Sequence, residues 1–225
     1  MADEARAHDN VTAGETSGRA PADRTSASEA VRAPAGGLEA LIARAGSAGA
    51  KGPPPVERWN PPFCGDIDMR IAADGTWFYM GTPIGREALV KLFASVLRRD
   101  EDGKTYLVTP VEKCGITVDD APFVAVEMHA QGDGPDQRLT FRTNVGDVIE
   151  AGAEHPLRFV IDAENGGLKP YVLVRGRLEA RLGRAVMYEL VEHGTEAVVD
   201  GRAWFGVHAG GRFFPAVPAD EAGLP

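Results

Sequence analysis

The sequence has few residues of the kinds that mark disulfide-rich or metal-binding proteins. Its two cysteines, Cys64 and Cys114, lie in no CxxC motif and beside no histidine at metal-ligand spacing. This pattern gives no sign of a structural zinc site or of a thioredoxin-like motif. We therefore expect two free, partly buried thiols, with a regulatory disulfide as the alternative.

Basic charge and long apolar runs are also scarce. The 24 Lys and Arg residues are outnumbered by 33 Asp and Glu residues, which gives a formal net charge of -9. Because nucleic-acid binding requires a concentrated basic face, no nucleic-acid partner is expected. No stretch approaches the roughly 20 apolar residues of a membrane span, and residues 1–4 lack the basic and apolar segments of a signal peptide. The sequence thus predicts a cytoplasmic protein with no membrane partner.

Strong catalytic signatures are missing as well. There is no GxGxxG, GxSxG or HExxH motif, and the five histidines stand apart in the sequence. The sequence therefore predicts no catalytic residue, no cofactor and no bound metal. It favours a protein that is not an enzyme, with an enzyme as the alternative.

What is present begins with a polar tail. Residues 1–54 are dominated by Ala, Gly, Ser and Thr with interspersed charges, a composition that buries too little apolar area to offset chain entropy. We expect a disordered tail that is able to recruit a protein partner. Within it, Leu38, Leu41 and Ile42 recur at helical spacing and predict a short amphipathic helix over residues 37–45.

The rest of the chain alternates between strand and helix patterns. Residues 66–71 alternate polar and apolar side chains, Asp74-Gly75 supplies a tight turn, and residues 77–79 return as a partner strand. A helix is predicted over residues 88–97, with Arg98-Arg99 complementing the C-terminal end of its dipole. Further strands are predicted at 106–108, 111–118, 123–129, 138–143, 157–162, 171–179, 197–199 and 202–207, and a second helix at 184–192 with Gly194 as its C′ residue.

One pattern occurs twice. Gly85-Arg86 and Asp102-Gly103-Lys104 recur as Gly183-Arg184 and Asp200-Gly201-Arg202, in both cases 98 positions later. A shared offset across a helix start and a turn is what duplication predicts, whereas coincidence is the alternative because Asp-Gly turns are common. We predict an α+β protein of two structurally related repeats, at residues 55–135 and 136–225. Each repeat is expected to be a mostly antiparallel sheet with one main helix.

Polar side chains gather on strand faces and at bends. Asp66, Asp68 and Arg70 share one face of a predicted strand. They could meet a ligand or a divalent ion, or form a solvated face with an Asp–Arg pair. Cations in the second half suit phosphate or carboxylate recognition unless neighbouring carboxylates neutralise them. These cations are His155, Arg158, Arg175 and Arg177.

Ordered blocks after residue 55 resemble an uncharacterised proteobacterial protein family of unknown function. The blocks include Asp-Gly-Thr-Trp-Phe-Tyr, Gly-Thr-Pro-Ile-Gly-Arg, Leu-Val-Thr-Pro-Val-Glu-Lys, Thr-Asn-Val-Gly-Asp and Lys-Pro-Tyr-Val-Leu-Val-Arg. The resemblance implies a duplicated α+β core whose C-terminal half is superficially like a pleckstrin-homology domain. It also implies a site for a nucleotide-like ligand at the junction of the halves, and a part in signal transduction or stress response. The matching polar positions are Asp66, Asp68, Arg70, Glu112, Lys113, Asn144, Asp147, His155, Arg158, Arg175 and Arg177.

Three functions fit these observations. In the leading hypothesis, arginines hold an anionic small molecule between the halves while Trp59 or Tyr171 stacks on its planar part. In the second, the protein is a metal-assisted enzyme acting on a phosphorylated small molecule. Asp66 and Asp68 would then hold the metal and His155 would transfer protons, which requires these groups within a few ångströms of each other. In the third, the same residues cement the two halves of a structural or interaction protein.

Overall fold

A computed structural model describes residues 37–49, 54–163 and 165–221. Of the predicted disordered tail, residues 1–54, residues 1–36 and 50–53 lie outside the described part. The predicted helix at 37–45 is present and extends to residue 49. The α-helices of the described part are α1 (Gly37–Gly49), α2 (Glu87–Ser95) and α3 (Arg184–Glu192). Its strands are β1 (Phe63–Ile71), β2 (Trp77–Tyr79), β3 (Thr82–Pro83), β4 (Leu97–Arg99), β5 (Thr105–Val108), β6 (Lys113–Val118), β7 (Phe123–Gln131), β8 (Arg138–Thr143), β9 (Val148–Glu150), β10 (Leu157–Ile161), β11 (Leu168–Arg175), β12 (Leu178–Leu182), β13 (Gly194–Val199), β14 (Arg202–Ala209) and β15 (Arg212–Pro218).

The first half of the protein is a six-stranded sheet in the order β3-β2-β1-β6-β5-β4, with α2 between β3 and β4 along the chain. The predicted hairpin is confirmed: β1 pairs antiparallel with β2, and Gly75 occupies the turn at φ +85°. A residue with a side chain is strained at such a positive φ, which explains the glycine. In β1, Ile67, Met69 and Ile71 are buried while Asp68 is exposed, as the alternation predicts.

The second half contains a six-stranded sheet with the same connectivity. Its order is β10-β11-β12-β7-β8-β9. In each sheet, two antiparallel three-stranded meanders meet through one parallel pair, formed by the first strand of one meander and the last strand of the other. These parallel pairs are β1 with β6 and β7 with β12. The predicted α+β class with two related parts is therefore confirmed, whereas the likeness of the second half to a pleckstrin-homology domain stays an expectation.

A third, three-stranded sheet explains the 98-residue repeat. Helix α3 is followed by the meander β13-β14-β15, just as α2 is followed by β4, β5 and β6. The duplicated pattern in the sequence thus corresponds to a helix-plus-meander unit. Helix α3 has the predicted bounds, and Gly194 follows the C-cap residue His193 as the predicted C′ residue while also beginning β13.

Helix α2 ends earlier than predicted. It stops at Ser95, and Arg98 and Arg99 belong to β4, so they do not complement the helix dipole. The reason is strand pairing. Leu97, which continues the apolar spacing of the helix, lies opposite Leu107 and belongs to β4 because β4 pairs with β5. The strand predicted over 171–179 is likewise divided, because Gly176 turns the chain at φ +53° between β11 and β12.

The boundary between the halves lies earlier than residue 135. Strand β7, which we had placed in the first repeat, pairs with β8 and β12 of the second sheet. The predicted boundary after residue 135 lies in the connection between β7 and β8, which turns at Gly132 and Gly134. We therefore take residues up to 121 as the first half and residues from 122 onward as the second half.

The two cysteines are bonded to each other, so the prediction of free thiols was wrong. Cys64 of β1 and Cys114 of β6 form a disulfide, and their Cα atoms are 5.5 Å apart. The parallel pairing of β1 with β6 aligns Phe63 with Lys113 and thereby brings the following residues side by side. The sequence alone does not reveal this disulfide, because the two cysteines are 50 positions apart and the pairing of their strands depends on the whole sheet.

One cluster of buried apolar residues runs through both halves. Trp77 stacks on Phe93 with ring centroids 6.3 Å apart, and Phe123 and Phe141 of the second sheet are fully buried. None of the described helices is both long enough and apolar enough to cross a membrane.

Candidate ligand site at the junction of the two halves

Part of the junction is closed by Arg175 at the end of β11. Its guanidinium donates to an Asp147 carboxylate oxygen at 2.8 Å and to the backbone carbonyl of Ala94 in the first half at 2.7 Å. It also lies 4.9 Å from the centroid of the Phe123 ring. We call this group of residues (Arg175, Asp147, Ala94 and Phe123) the closed seam.

The other part of the junction is open, and we call it the junction cleft. Its larger hollow has a volume of about 690 Å³. A second hollow of about 470 Å³ shares Asp100, Glu101 and Arg177 with the first. The first hollow is lined from one half by Arg99, Asp100, Glu101 and Gly103 and from the other by Leu173, Gly176, Arg177 and Glu179, and the second adds Glu57, Arg58, Trp59, Asn60, Arg98 and Asp102.

Arg98 fixes the wall of the cleft. It is 8% exposed, and its guanidinium donates to the carbonyls of Val56 and Trp59 at 2.8 and 2.6 Å. The same side chain pairs with Asp100 at 2.6 Å, and Lys113 approaches Asp100 at 2.9 Å. The segment that carries Arg58 and Trp59 is therefore held against β4.

Asp100 remains a charged acceptor in this wall. Burial of the carboxyl group acts to raise its pKa, but hydrogen bonds and charges from Arg98 and Lys113 outweigh burial and lower the pKa below its ordinary value. The negative charge of Asp100 is thus compensated by Arg98 and Lys113 within the wall of the cleft.

Three arginine side chains of the cleft have no strong partner. Arg58 and Arg99 have no carboxylate partner among the described residues, and the Arg99 Nε donates to the Gly103 carbonyl at 3.1 Å. Arg177 donates to Glu101 at 2.9 Å, but the Glu101 side chain is 87% exposed. An ion pair this exposed contributes little, so a ligand can compete for Arg177.

Carboxylates of the cleft are mostly engaged already. Asp102 accepts the Tyr106 hydroxyl and the backbone N–H of Lys104, and these bonds lower the pKa of its carboxyl. Burial, together with the bond to Asp102, raises the pKa of Tyr106 to about 12, so the phenol stays neutral. Glu179 accepts two hydrogen bonds from Arg158, at 2.8 and 2.7 Å. The cleft therefore offers open guanidinium groups beside three engaged carboxylates, Asp100, Asp102 and Glu179, and two exposed ones, Glu57 and Glu101.

Of the sequence-predicted site residues, Arg177 lines the junction cleft. Asp66 and Asp68 line a different hollow, of about 400 Å³ within the first half, beside Lys104. Arg70 does not join them, because it forms a two-pronged ion pair with Asp119.

The other predicted residues are held by partners inside the protein. Asn144 caps the backbone N–H of Val124 at 3.0 Å, and the Nδ1 of His155 is 2.9 Å from the Leu173 carbonyl. The remaining ones form ion pairs: Glu112 with Arg44, Lys113 with Asp100, Asp147 with Arg175, and Arg158 with Glu179. Among the predicted residues, Asp147 and Arg175 form an ion pair, and Asp66 and Asp68 line the same hollow. The other predicted residues do not form one site with them.

Sequence reasoning missed Arg58 and Arg99. Arg99 was assigned to a helix end, and Arg58 stands in a short irregular segment after three prolines with no pattern of its own. Of the two proposed stacking residues, Trp59 lies in the cleft. Tyr171 cannot stack on a ligand there, because it is buried with Arg158 4.3 Å from its ring centroid and its hydroxyl bonded to Asp120.

Fold and site together define a class: a two-part α+β protein whose similar sheets meet at a polar cleft. Residues 54–121 match the N-terminal domain of unknown function (DUF1285), and residues 122–216 match the C-terminal domain of the protein of unknown function (DUF1285). The chain belongs to the DUF1285 family.

Solved structures of this family are similar to the chain. A crystal structure of a DUF1285 family protein from Silicibacter pomeroyi DSS-3 is 54% identical with a TM-score of 0.74, covering 80% of this chain and 96% of that one. Another, from Shewanella baltica OS155, is 30% identical with a TM-score of 0.44, covering 56% of this chain and 91% of that one. No curated protein matches the chain.

Proposed function

We propose that this protein binds a small anionic, nucleotide-like molecule in the junction cleft and acts as a ligand-responsive regulator. The observation that carries the proposal is a set of three guanidinium groups in the junction cleft: Arg177 lines both of its hollows, Arg99 lines the larger one and Arg58 the second. A cytoplasmic role in signal transduction or stress response, implied by the family resemblance, is part of the proposal.

The arginines suit the phosphate part of such a ligand. A guanidinium presents a planar fork of donors that matches two phosphate oxygens at once. Arg99 comes from the first half and Arg177 from the second, so one phosphate group held by both would bridge the junction. Breaking the exposed Arg177–Glu101 pair costs little, because the Glu101 side chain is already in contact with water.

Trp59 and the cleft carboxylates suit the base part. The indole is half-buried at the cleft, and its backbone is held by Arg98, so a planar ring can stack on it without ordering a mobile side chain. Glu57 and Glu101 offer acceptors for the amino groups of a base. A bare inorganic anion would meet these carboxylates without any compensating donor, and we therefore expect it to bind more weakly than a nucleotide.

Binding would connect the two halves. The closed seam joins α2 to the end of β11 through Arg175. The cleft lies beyond the Gly176 turn, so a ligand there adds a link between β4 and the β11–β12 connection. A ligand that binds the folded state stabilises it against unfolding in proportion to the logarithm of its concentration. Such stabilisation is the physical readout of the proposed function.

A thermal-shift screen of the full chain tests the proposal. We expect nucleoside phosphates to raise Tm, and the matching nucleosides and inorganic phosphate to raise it less, with or without Mg²⁺. The Arg99→Ala variant is expected to lose the shift. Arg138→Ala removes an exposed arginine paired with Glu150 outside the cleft and is expected to keep the shift. No rise with any nucleotide at millimolar concentration would contradict the proposal and leave the structural role, which the closed seam supports.

No observation favours the metal-assisted enzyme over binding. That hypothesis requires His155 beside Asp66 and Asp68, yet His155 is not among the residues that line their hollow. Turnover of a nucleotide during the same screen would nevertheless replace the binding proposal with an enzymatic one.

A further inference from the structure

We propose that Cys64, Cys114 and Glu112 form a site for a thiophilic divalent metal ion of the zinc class when the disulfide is reduced. One ligand atom from each of the three residues lies within 4.8 Å of the other two. Two sulfurs and a carboxylate oxygen form a donor set that zinc accepts, with water in the fourth position.

The distances suit a tetrahedral ion. With Zn–S near 2.3 Å and Zn–O near 2.0 Å, ligand atoms are about 3.5–3.8 Å apart, which lies inside the 4.8 Å grouping. Once the S–S bond is broken, the exposed Cys64 side chain can rotate while Cys114 stays buried in the sheet. The pairing of β1 with β6 keeps both residues on neighbouring strands in either redox state.

Glu112 is held in place by local backbone bonds. Its carbonyl accepts the Thr109 N–H at 2.9 Å, and its own N–H donates to the Thr109 hydroxyl at 3.3 Å. One carboxylate oxygen accepts Arg44 of α1 at 2.6 Å, which leaves the second oxygen to reach the metal. Two thiolates and one carboxylate carry one charge more than a divalent ion neutralises, and the Arg44 guanidinium offsets it as an outer partner.

Formation of the site requires a two-electron reductant of the disulfide, such as a dithiol. The dithiol's thiolate attacks one sulfur of the disulfide and releases the other cysteine as a thiolate. The second thiol of the same reductant then attacks the reductant's own sulfur in the mixed disulfide and releases the first cysteine. The reductant is thereby oxidised to a cyclic disulfide, while Cys64 and Cys114 gain two electrons and two protons as thiols. Metal binding then releases both protons as the thiolates ligate. The oxidised pair has no thiolate to offer, so metal affinity is set by redox state.

Zinc binding by the full chain tests this inference. We expect the protein treated with a phosphine reductant to take one Zn²⁺ per chain from a chromophoric chelator, and the oxidised protein to take none. With Co²⁺ as the probe, we expect thiolate-to-cobalt charge-transfer absorption. Loss of an outer partner alone weakens metal sites by about 10–100-fold, so Cys64→Ser is expected to cost more than about 100-fold in affinity and Glu112→Gln at least about 10-fold. Glu196→Gln, at an exposed position of β13, is the matched control and should change nothing.

Several results would overturn the inference. These are no zinc uptake by the reduced chain, equal uptake by the oxidised chain, or unchanged affinity in Cys64→Ser. Unchanged affinity in Glu112→Gln would overturn the three-ligand set. Because Cys64 is exposed, its variant is expected to fold even if Cys114→Ser does not.

Discussion

The closed seam and the junction cleft both contain arginines that reach across the junction, but these arginines differ in their partners. Arg175 and Arg177 stand on either side of Gly176, and each reaches the first half of the protein. Arg175 finds a carbonyl, a carboxylate and an aromatic ring, whereas Arg177 finds a single exposed carboxylate. An arginine at a junction therefore does not by itself indicate a ligand site. The acceptors within its reach decide whether it holds the two halves together or remains available to a ligand.

Two neighbours on β4 repeat the contrast. Arg98 points inward and is 8% exposed, with its guanidinium bonded to two backbone carbonyls and to Asp100. Arg99 points the other way along the alternating strand and reaches the cleft. The closed parts of the molecule should therefore respond to mutation through stability, and the open parts through binding.

The largest effect is expected at Arg98. Arg98→Ala removes the charged donor of the Val56 and Trp59 carbonyls and leaves Asp100 with Lys113 alone. A hydrogen bond to a charged group contributes about 1.5–3 kcal/mol, so the loss of several should lower the free energy of unfolding by about 3 kcal/mol or more. Arg99→Ala, one residue away, should change it by less than about 0.5 kcal/mol. Urea unfolding of both variants checks the contrast, and equal losses would break it.

A smaller loss is expected at the closed seam. Hydrogen bonds to charged groups contribute about 1.5–3 kcal/mol, and Arg175 is partly exposed, so Arg175→Ala should cost about 2 kcal/mol. Arg177→Ala is the matched variant and should cost less than about 0.5 kcal/mol, because its pair is exposed. If denaturant unfolding gives the same free energy for both variants, the distinction between seam and cleft fails.

The acid response of the cleft wall gives a smaller effect. Since Arg98 and Lys113 lower the pKa of Asp100 in the folded protein despite its burial, Asp100 stabilises the fold above its unfolded pKa of about 3.9. This contribution is lost as pH falls through the lower, folded value. We expect the unfolding free energy to fall less steeply below about pH 4 in Asp100→Asn than in the wild type. If calorimetry shows the same pH dependence of the unfolding free energy in both proteins, Arg98 and Lys113 do not lower the pKa of Asp100.

Local patterns predicted much of the fold. The alternation at Ile67 and Met69, the Asp74-Gly75 turn and the bounds of α3 depend on neighbouring residues, which the sequence displays directly. The end of α2, the position of β7 and the Cys64–Cys114 bond depend on strand pairing between distant segments, for which one sequence carries no local sign. Arg99 was missed for the same reason: the local pattern placed it at a helix end, whereas the pairing of β4 with β5 places it on a strand beside the cleft.

Calorimetric titration with the nucleotide that gives the largest thermal shift tests the central claim most directly. The wild type, the double variant Arg99→Ala/Arg177→Ala and the Arg138→Ala control would be compared at one salt concentration. The account predicts an affinity at least about tenfold weaker in the double variant, because each lost charged hydrogen bond exceeds about 1.4 kcal/mol, with the control unchanged and stability nearly constant. An affinity in the double variant equal to that of the wild type would contradict it.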